Sequence, residues 1–312
     1  MLERKTASSP SNKSTNVRAN FALGLTRALV SAGSRYAPYE TGGFLVSAFT
    51  RTHREVQRSV DVADVLVLAD RFELEHAGTR VRGVTMRPEG EHPNAAGDGP
   101  HLLLVHGWDG GAHQMLPFVR PLVERGFVVS LVDLPAHGAS DGERTTLRDM
   151  TDVITGLARS IGPFHGIVAH SVGAAAATLA LIEGLPLERI VLVAPPISLE
   201  SQARAFAASV GAEDASLRPM LATMSGLLRR PIDAASWLRD VESLTTEALV
   251  IHDRRDRIIP IGGSEELITH WRNARLVATE GLGHARILGA AVVIDEAVRF
   301  FGEARVAAEV SA

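Results

Sequence analysis

The strongest chemical signal in the chain is Ala169-His170-Ser171-Val172-Gly173. It lies between an apolar run and a helical stretch, where a sharp strand-to-helix turn would lift the Ser171 hydroxyl above the strand ends. Small residues at 169 and 173 suit such a turn, because neighbouring backbones pass close by. A serine hydroxyl is a poor nucleophile near neutral pH. It needs a base to take its proton and an acid to orient that base. The histidines downstream are His252, His270 and His284. His284, in Gly281-Leu282-Gly283-His284, sits in a glycine-bordered loop just after the last apolar run, which suits an exposed imidazole. His270 stands beside Trp271 on a predicted helix, and His252 ends a predicted strand as a satisfied core histidine would.

Two carboxylates share one loop, Asp253 and Asp256. Asp253 follows its strand directly and reads as a turn residue. Asp256 lies further out, where the loop can carry it toward His284, and is the favoured acid. Arg254, Arg255 and Arg257 are the expected partners of whichever carboxylate is not used. An oxyanion would need backbone donors, each worth on the order of 3 kcal/mol. Val172 N–H follows the nucleophile and supplies one. Trp108 N–H, in the loop His106-Gly107-Trp108-Asp109-Gly110-Gly111, is the expected second. The Trp108 indole reads equally as a wall of an acyl pocket or as a structural aromatic. His106 is expected to fix this loop through hydrogen bonds.

These residues need a frame. Short apolar runs at Leu102–Val105, Phe127–Val132, Gly166–Ala169, Ile190–Val193, Ala248–Ile251 and Arg275–Ala278 alternate with helical stretches near 112–125, 146–160, 173–184, 262–272 and 289–302. Continuous apolar strands alternating with helices predict a mostly parallel sheet with helices on both faces. Arg71–His76 and Arg80–Met86 alternate and predict a hairpin, followed by a Gly-, Pro- and Asn-rich loop from Pro88 to Pro100. Between Ala194 and Leu244 the alternation stops, and helices are expected instead. An excursion of about 197–243 at the carboxyl edge of the strands, where ligands bind in such sheets, is a candidate cap. Residues 1–19 are expected to be a disordered tail and 20–60 a helical extension. The main domain is expected over 61–303, with 304–312 a C-terminal tail. The apolar stripe Phe21, Leu25, Ala28, Leu29 and Ala32 is expected to pack on the main domain; a membrane or partner surface is the competing use.

The chain has 312 residues, 46% of them apolar, enough for one large core. Its net charge of −4, with no basic stripe, argues against a nucleic-acid partner. The absence of cysteine excludes disulfides, thiolate zinc sites and a cysteine nucleophile. No segment reads as a membrane span, and no basic–apolar–cleavage pattern reads as an export signal, so a cytoplasmic location is expected. Self-association, if any, is expected through the N-terminal extension.

The ordered motifs make the chain resemble the α/β-hydrolase superfamily over roughly residues 70–303. His106-Gly107-Trp108 resembles the family's oxyanion loop. Asp133-Leu134-Pro135-Ala136-His137-Gly138-Ala139-Ser140 resembles its Asp-x-Pro-Gly-His-Gly-x-Ser loop, with Ala136 in place of glycine. The elbow at Ser171, then Asp256 with Ile259-Pro260, and Gly283-His284 follow in the family's order. Where this chain has Asp253 the family usually has glycine. The resemblance implies an α/β-hydrolase fold and a structural role for Asp133 and His137. It also implies acyl transfer to water by Ser171, His284 and Asp256, with no metal or organic cofactor. The expected substrate is a carboxylic ester of a small or medium acyl chain. A thioesterase, a lipase-like enzyme, a carbon–carbon bond hydrolase or a peptidase would use the same residues, and a ligand-binding protein on this fold is the rival from another class.

Overall fold

A computed structural model describes residues 11–53, 69–88 and 99–310, with side chains from 24 to 302. The contacts group the described residues into two compact units.

The larger unit, 50–199 with 231–312, is built on one eight-stranded sheet of order β1-β2-β4-β3-β5-β6-β7-β8. The strands are β1 (Asp70–His76), β2 (Thr79–Met86), β3 (His101–Val105), β4 (Val128–Asp133), β5 (Gly166–His170), β6 (Arg189–Val193), β7 (Glu247–Asp253) and β8 (Ala274–Thr279). β1 and β2 form the expected hairpin, β2 lies antiparallel to β4, and β3 through β8 run parallel. The parallel strands read as unbroken apolar runs because both of their faces are covered. On one face Leu102, Leu104, Leu131, Val168 and Val191 pack with Phe118 and Leu122 of α3 (Leu116–Val123) and Phe301 of α11 (Ala291–Val310). Alternation turns Leu103, Ile167, Ile190 and Leu192, all fully buried, to the other face. The helices α4 (Leu147–Ser160) and α5 (Val172–Ile182) pack together there. The α4 helix starts at a capping box between Thr146 and Asp149.

The smaller unit joins residues 1–49 to 200–230. Its helices are α1 (Ser11–Tyr36), α2 (Pro38–Phe49), α6 (Leu199–Ser209) and α7 (Asp214–Leu228). The stretch expected to be one cap is therefore divided. Its α8 (Ala234–Val241) buries Trp237, Leu238 and Val241 in the larger unit, whereas α7 packs with α2 and α1.

Three expectations change. Helix α1 reaches back to Ser11, inside the expected tail, since extending a formed helix costs far less than starting one. Helix α11 continues to Val310 through the expected C-terminal tail. The apolar stripe of α1 turns outward. Leu25 and Leu29 are exposed, whereas Val30 and Ser34 pack inward, with Ser34 Oγ 2.7 Å from Ser216 Oγ of α7. Hydroxyl pairing, which hydrophobic periodicity does not register, sets the packed face. The expected tail's residues 1–10, the stretch 54–68 at the expected domain boundary, 89–98 of the expected loop, and 311–312 lie outside the described residues.

Candidate active site

Ser171 sits between β5 and α5 with φ 51° and ψ −124°, a strained conformation for a residue with a Cβ. The turn is fixed by its own N–H, which donates to the Val193 carbonyl at 2.9 Å. Two glycines make the crowding tolerable. A Cβ on Gly173 would stand 2.3 Å from the His106 carbonyl oxygen, and one on Gly107 would stand 3.1 Å from Ser171 Cβ. The α5 sequence Val-Gly-Ala-Ala-Ala-Ala is correspondingly small, and this stretch is almost wholly buried.

The structure brings Ser171, His284 and Asp256 into one chain of hydrogen bonds. His284 Nε2 lies 2.9 Å from Ser171 Oγ, and His284 Nδ1 lies 2.7 Å from Asp256 Oδ2. With Asp256 ionised, Nδ1–H donates to it and Nε2 is left to accept from the serine hydroxyl. The other oxygen of Asp256 accepts the Ile258 and Ile259 amides at 2.8 and 3.0 Å. Burial acts to raise the Asp256 pKa, but these amides and His284 outweigh it and hold the carboxyl below its ordinary value.

Asp253, three residues earlier, has different work. It accepts the Arg255 amide at 3.0 Å, the Thr279 hydroxyl at 2.8 Å and the Leu282 amide at 2.9 Å. Burial again opposes ionisation, and the donors, led by the Leu282 and Gly283 amides, hold its pKa down to about 2. Asp253 thus pins the loop that delivers His284. The arginines expected to neutralise it turn elsewhere: Arg255 pairs with Glu280 at 2.6 Å and Arg254 faces Glu265 at 3.6 Å. Backbone donors at the strand end occupy both aspartates instead.

The loop carrying Trp108 is locked to the 133–140 loop by three acceptors. His106 Nε2 accepts from the Leu134 amide at 3.0 Å while its Nδ1–H donates to the Gly107 carbonyl at 2.7 Å. His137 Nε2 accepts from the Asp109 amide at 3.1 Å while its Nδ1–H donates to the Pro135 carbonyl at 2.9 Å. Asp133 accepts the Ala112 and Ala139 amides at 2.7 and 3.0 Å. Burial lowers the pKa of both histidines to about 4, so each stays neutral with one fixed tautomer. The Trp108 ring meets His137 edge to face at 5.5 Å. Val172 opens α5, where a helix leaves its first N–H groups without internal acceptors. Val172 follows the serine in sequence, and the backbone at Gly107, next to Trp108, runs close to the Ser171 side chain.

Two other histidines support the site. His252 is a core histidine, its Nε2–H donating to Ile259 O at 2.8 Å and its Nδ1 accepting from Ser264 Oγ at 2.7 Å. It braces the loop that holds Asp256. His170, which sequence reasoning left without a role, donates from Nε2 to the His284 carbonyl at 2.9 Å. Burial, and then the neighbouring His284, lower its pKa to about 3. Its place beside the nucleophile was the only signal for it. His270 stands apart, 2.7 Å from Glu242. Among the described residues no three His, Asp or Glu side chains are placed to hold a metal.

Comparison with known proteins adds a family. The model of the alpha/beta hydrolase family matches residues 102–297. A pimeloyl-[acyl-carrier protein] methyl ester esterase of Xanthomonas campestris pv. campestris is 28% identical over 254 residues, 67% of this chain and 98% of that enzyme. The enzyme of the same name from Nitrosomonas europaea is 30% identical over 241 residues, 63% of this chain and 93% of its own length. Among solved structures, an esterase of Pyrococcus furiosus matches with a TM-score of 0.59 at 22% identity, over 81% of this chain and 96% of its own. A meta-cleavage product hydrolase of Pseudomonas fluorescens matches with a TM-score of 0.55 at 18% identity, over 75% and 98%. These structural likenesses establish the shared fold.

Proposed function

The chain belongs to the alpha/beta hydrolase family, and we propose from this premise that it cleaves carboxylic esters of small or medium acyl chains through an acyl-enzyme on Ser171. The observation that carries the proposal is the continuous path from Ser171 Oγ through His284 to Asp256, with links of 2.9 and 2.7 Å.

In the first step Ser171 Oγ attacks the ester carbonyl and its proton passes to His284 Nε2. Asp256 keeps the His284 Nδ1–H in place and stabilises the imidazolium that forms. The Trp108 and Val172 amides hold the oxyanion. Collapse of the tetrahedral intermediate breaks the ester C–O bond, and the alkoxy oxygen leaves as the alcohol with the proton from Nε2. Water then gives a proton to Nε2 and attacks the acyl carbon, and collapse of this second tetrahedral intermediate breaks the bond from the acyl carbon to Ser171 Oγ, which takes the proton back from Nε2 as the free acid is released. The relatives' shared name makes pimeloyl-[acyl-carrier protein] methyl ester the first natural substrate to examine.

The test is hydrolysis of nitrophenyl esters of graded acyl length, together with labelling by a fluorophosphonate. Wild type is expected to turn over the shorter esters and to take the label. Ser171→Ala is expected to lose both, with kcat lowered by about 10⁴-fold or more. Equal turnover by the two proteins would sink the nucleophile assignment. Hydrolysis of thioesters but not oxygen esters would move the reading to a thioesterase.

A further inference from the structure

We propose that Asp109 and the segment Thr50–His53, which grips it, are positioning residues that aim the Trp108 amide at the oxyanion. The inference rests on the acyl-transfer reading above and adds the residues that hold one of its donors.

The first observation is a strap. Among the described residues no helix is long and apolar enough to cross a membrane. The chain leaves α2 at Phe49 and runs over loops of the larger unit instead. Thr145 N–H donates to the Thr50 carbonyl at 2.9 Å and Thr52 N–H to the Glu143 carbonyl at 3.1 Å, so that Arg51 and Arg144 form an antiparallel bridge. Arg51 also pairs with the Glu143 carboxylate at 3.0 Å. Thr52 is buried, and its hydroxyl donates to the Ala136 carbonyl at 2.8 Å. His53 N–H donates to Asp109 Oδ1 at 2.8 Å, and its Nδ1 lies 3.5 Å from Asp109 Oδ2. The strap therefore ties the 133–145 segment to the loop that carries Trp108.

The second observation is strain. Asp109 has φ 52°, a left-handed value that disfavours a residue with a Cβ. That value closes a turn. Gly110 N–H donates to the Gly107 carbonyl at 3.2 Å, with Trp108 and Asp109 as the two central residues. A positive φ at the second of these is the place of glycine or asparagine in a type II turn. Aspartate is held there from both ends: its amide donates to His137 Nε2 at 3.1 Å, and its carboxylate takes the His53 N–H. Glycine would make the turn with less strain but would leave the strap without its acceptor.

The turn sets the direction of the Trp108 N–H. A peptide is planar and trans, so this N–H points opposite to the Gly107 carbonyl. That carbonyl is held by two donors, His106 Nδ1–H at 2.7 Å and Gly110 N–H at 3.2 Å. The first comes from a buried histidine. The second depends on the turn at Asp109, and through it on the strap. Rotation of this one peptide would swing the Trp108 N–H off its aim. Loss of the clamp therefore acts on the transition state, where the oxyanion forms, more than on the bound ester.

The test is hydrolysis of a short nitrophenyl ester by the full chain, with inhibition by a trifluoromethyl ketone, whose adduct on a serine carries an oxyanion. Asp109→Gly keeps the turn and removes the carboxylate. His53→Pro removes the gripping N–H and leaves Asp109 intact. Each is expected to lower kcat about tenfold, to keep KM within about twofold of wild type and to weaken the ketone about tenfold. The double variant should lose no more than either single one, as the two ends of one bond do. Asp109→Asn keeps an acceptor and tolerates the left-handed φ, and is expected to bring kcat back to within about threefold of wild type. Both substituted sites are exposed, and melting temperatures are expected within about 3 °C of wild type. Wild-type kcat in both Asp109→Gly and His53→Pro would overturn the proposal. So would losses that multiply in the double variant, a loss confined to KM, an Asp109→Asn as slow as Asp109→Gly, or a kcat that falls only with the melting temperature. A wild type that takes no fluorophosphonate and hydrolyses no ester would sink the acyl-transfer reading and this one with it. An active, labelled wild type matched by both variants would sink this one alone.

Discussion

The loop after β3 and the loop after β8 both bring histidine to the same edge of the sheet, and they use it in opposite ways. His106 and its partner His137 have both ring nitrogens on backbone groups, a carbonyl at Nδ1 and an amide at Nε2. Burial keeps them neutral, and no neighbour can exchange a proton with them usefully. They are struts. His284 has a carboxylate on one nitrogen and a hydroxyl on the other. Its protons have somewhere to go. The aspartates divide likewise: Asp253 spends its oxygens on Leu282, Arg255 and Thr279, whereas Asp256 keeps one for an imidazole. What separates frame from chemistry is the identity of the hydrogen-bond partners, as the aspartates show most directly, since both of them are buried.

The largest test of this contrast is His284→Asn against His106→Asn. The first is expected to lower kcat/KM for a short nitrophenyl ester by about 10⁴-fold while leaving the melting temperature near wild type. The second should orphan the Leu134 amide and cost about 1–3 kcal/mol in urea unfolding, with a much smaller kinetic loss. A catalytic collapse in His106→Asn at unchanged stability would break the distinction.

Next comes the aspartate pair. Asp256→Asn is expected to lower kcat by about 10³- to 10⁴-fold through the wrong His284 tautomer. Asp253→Asn should instead lower stability by about 1–3 kcal/mol and kcat by less than about tenfold. Steady-state kinetics read beside thermal melting would decide it. The reverse ranking would make Asp253 the acid.

A smaller and more gradual effect is expected with pH. His106 and His137 have folded pKa values of about 4 against an ordinary 6.5. Between those values the unfolded chain binds more protons than the folded one. Stability from these struts is therefore complete above 6.5 and is lost as pH falls toward 4, by at most about 1.4 kcal/mol per pH unit for each. Urea midpoints at pH 7 and pH 5 should differ in that direction, and less so in His137→Gln. Asp253 contributes in a separate, lower window, its stabilisation being lost only as pH falls from 3.8 toward about 2.

The smallest effect concerns Ala136, which holds φ 65° where the resembled motif has glycine. Ala136→Gly relieves about 1 kcal/mol of left-handed strain. It also gives up a buried methyl and raises the entropy of the unfolded chain, each worth a similar amount. The net change in urea unfolding is expected within about 1 kcal/mol of zero.

Most of the sheet was legible because its strands are buried on both faces. Runs such as Leu102–Val105 and Ile190–Val193 have no other soluble use. The elbow was legible because a serine between small residues, after one such run, has few alternatives. The packing of α1 was not legible. Periodicity chose the Leu25–Leu29 side, and the Ser34–Ser216 pairing chose the opposite one. Nor was the part played by His170, since its partner is a backbone carbonyl 114 residues away and leaves no mark on the local pattern.

By itself, then, the sequence determined which elements form and in which order Ser171, Asp256 and His284 occur. Those depend on side-chain type and on spacing within a few residues. Only the tertiary structure decided which aspartate faces His284, which histidines are frozen as struts and which side of α1 is left outward. Each of those depends on which donor or acceptor arrives from a distant segment, and the sheet order that delivers it is a property of the whole chain.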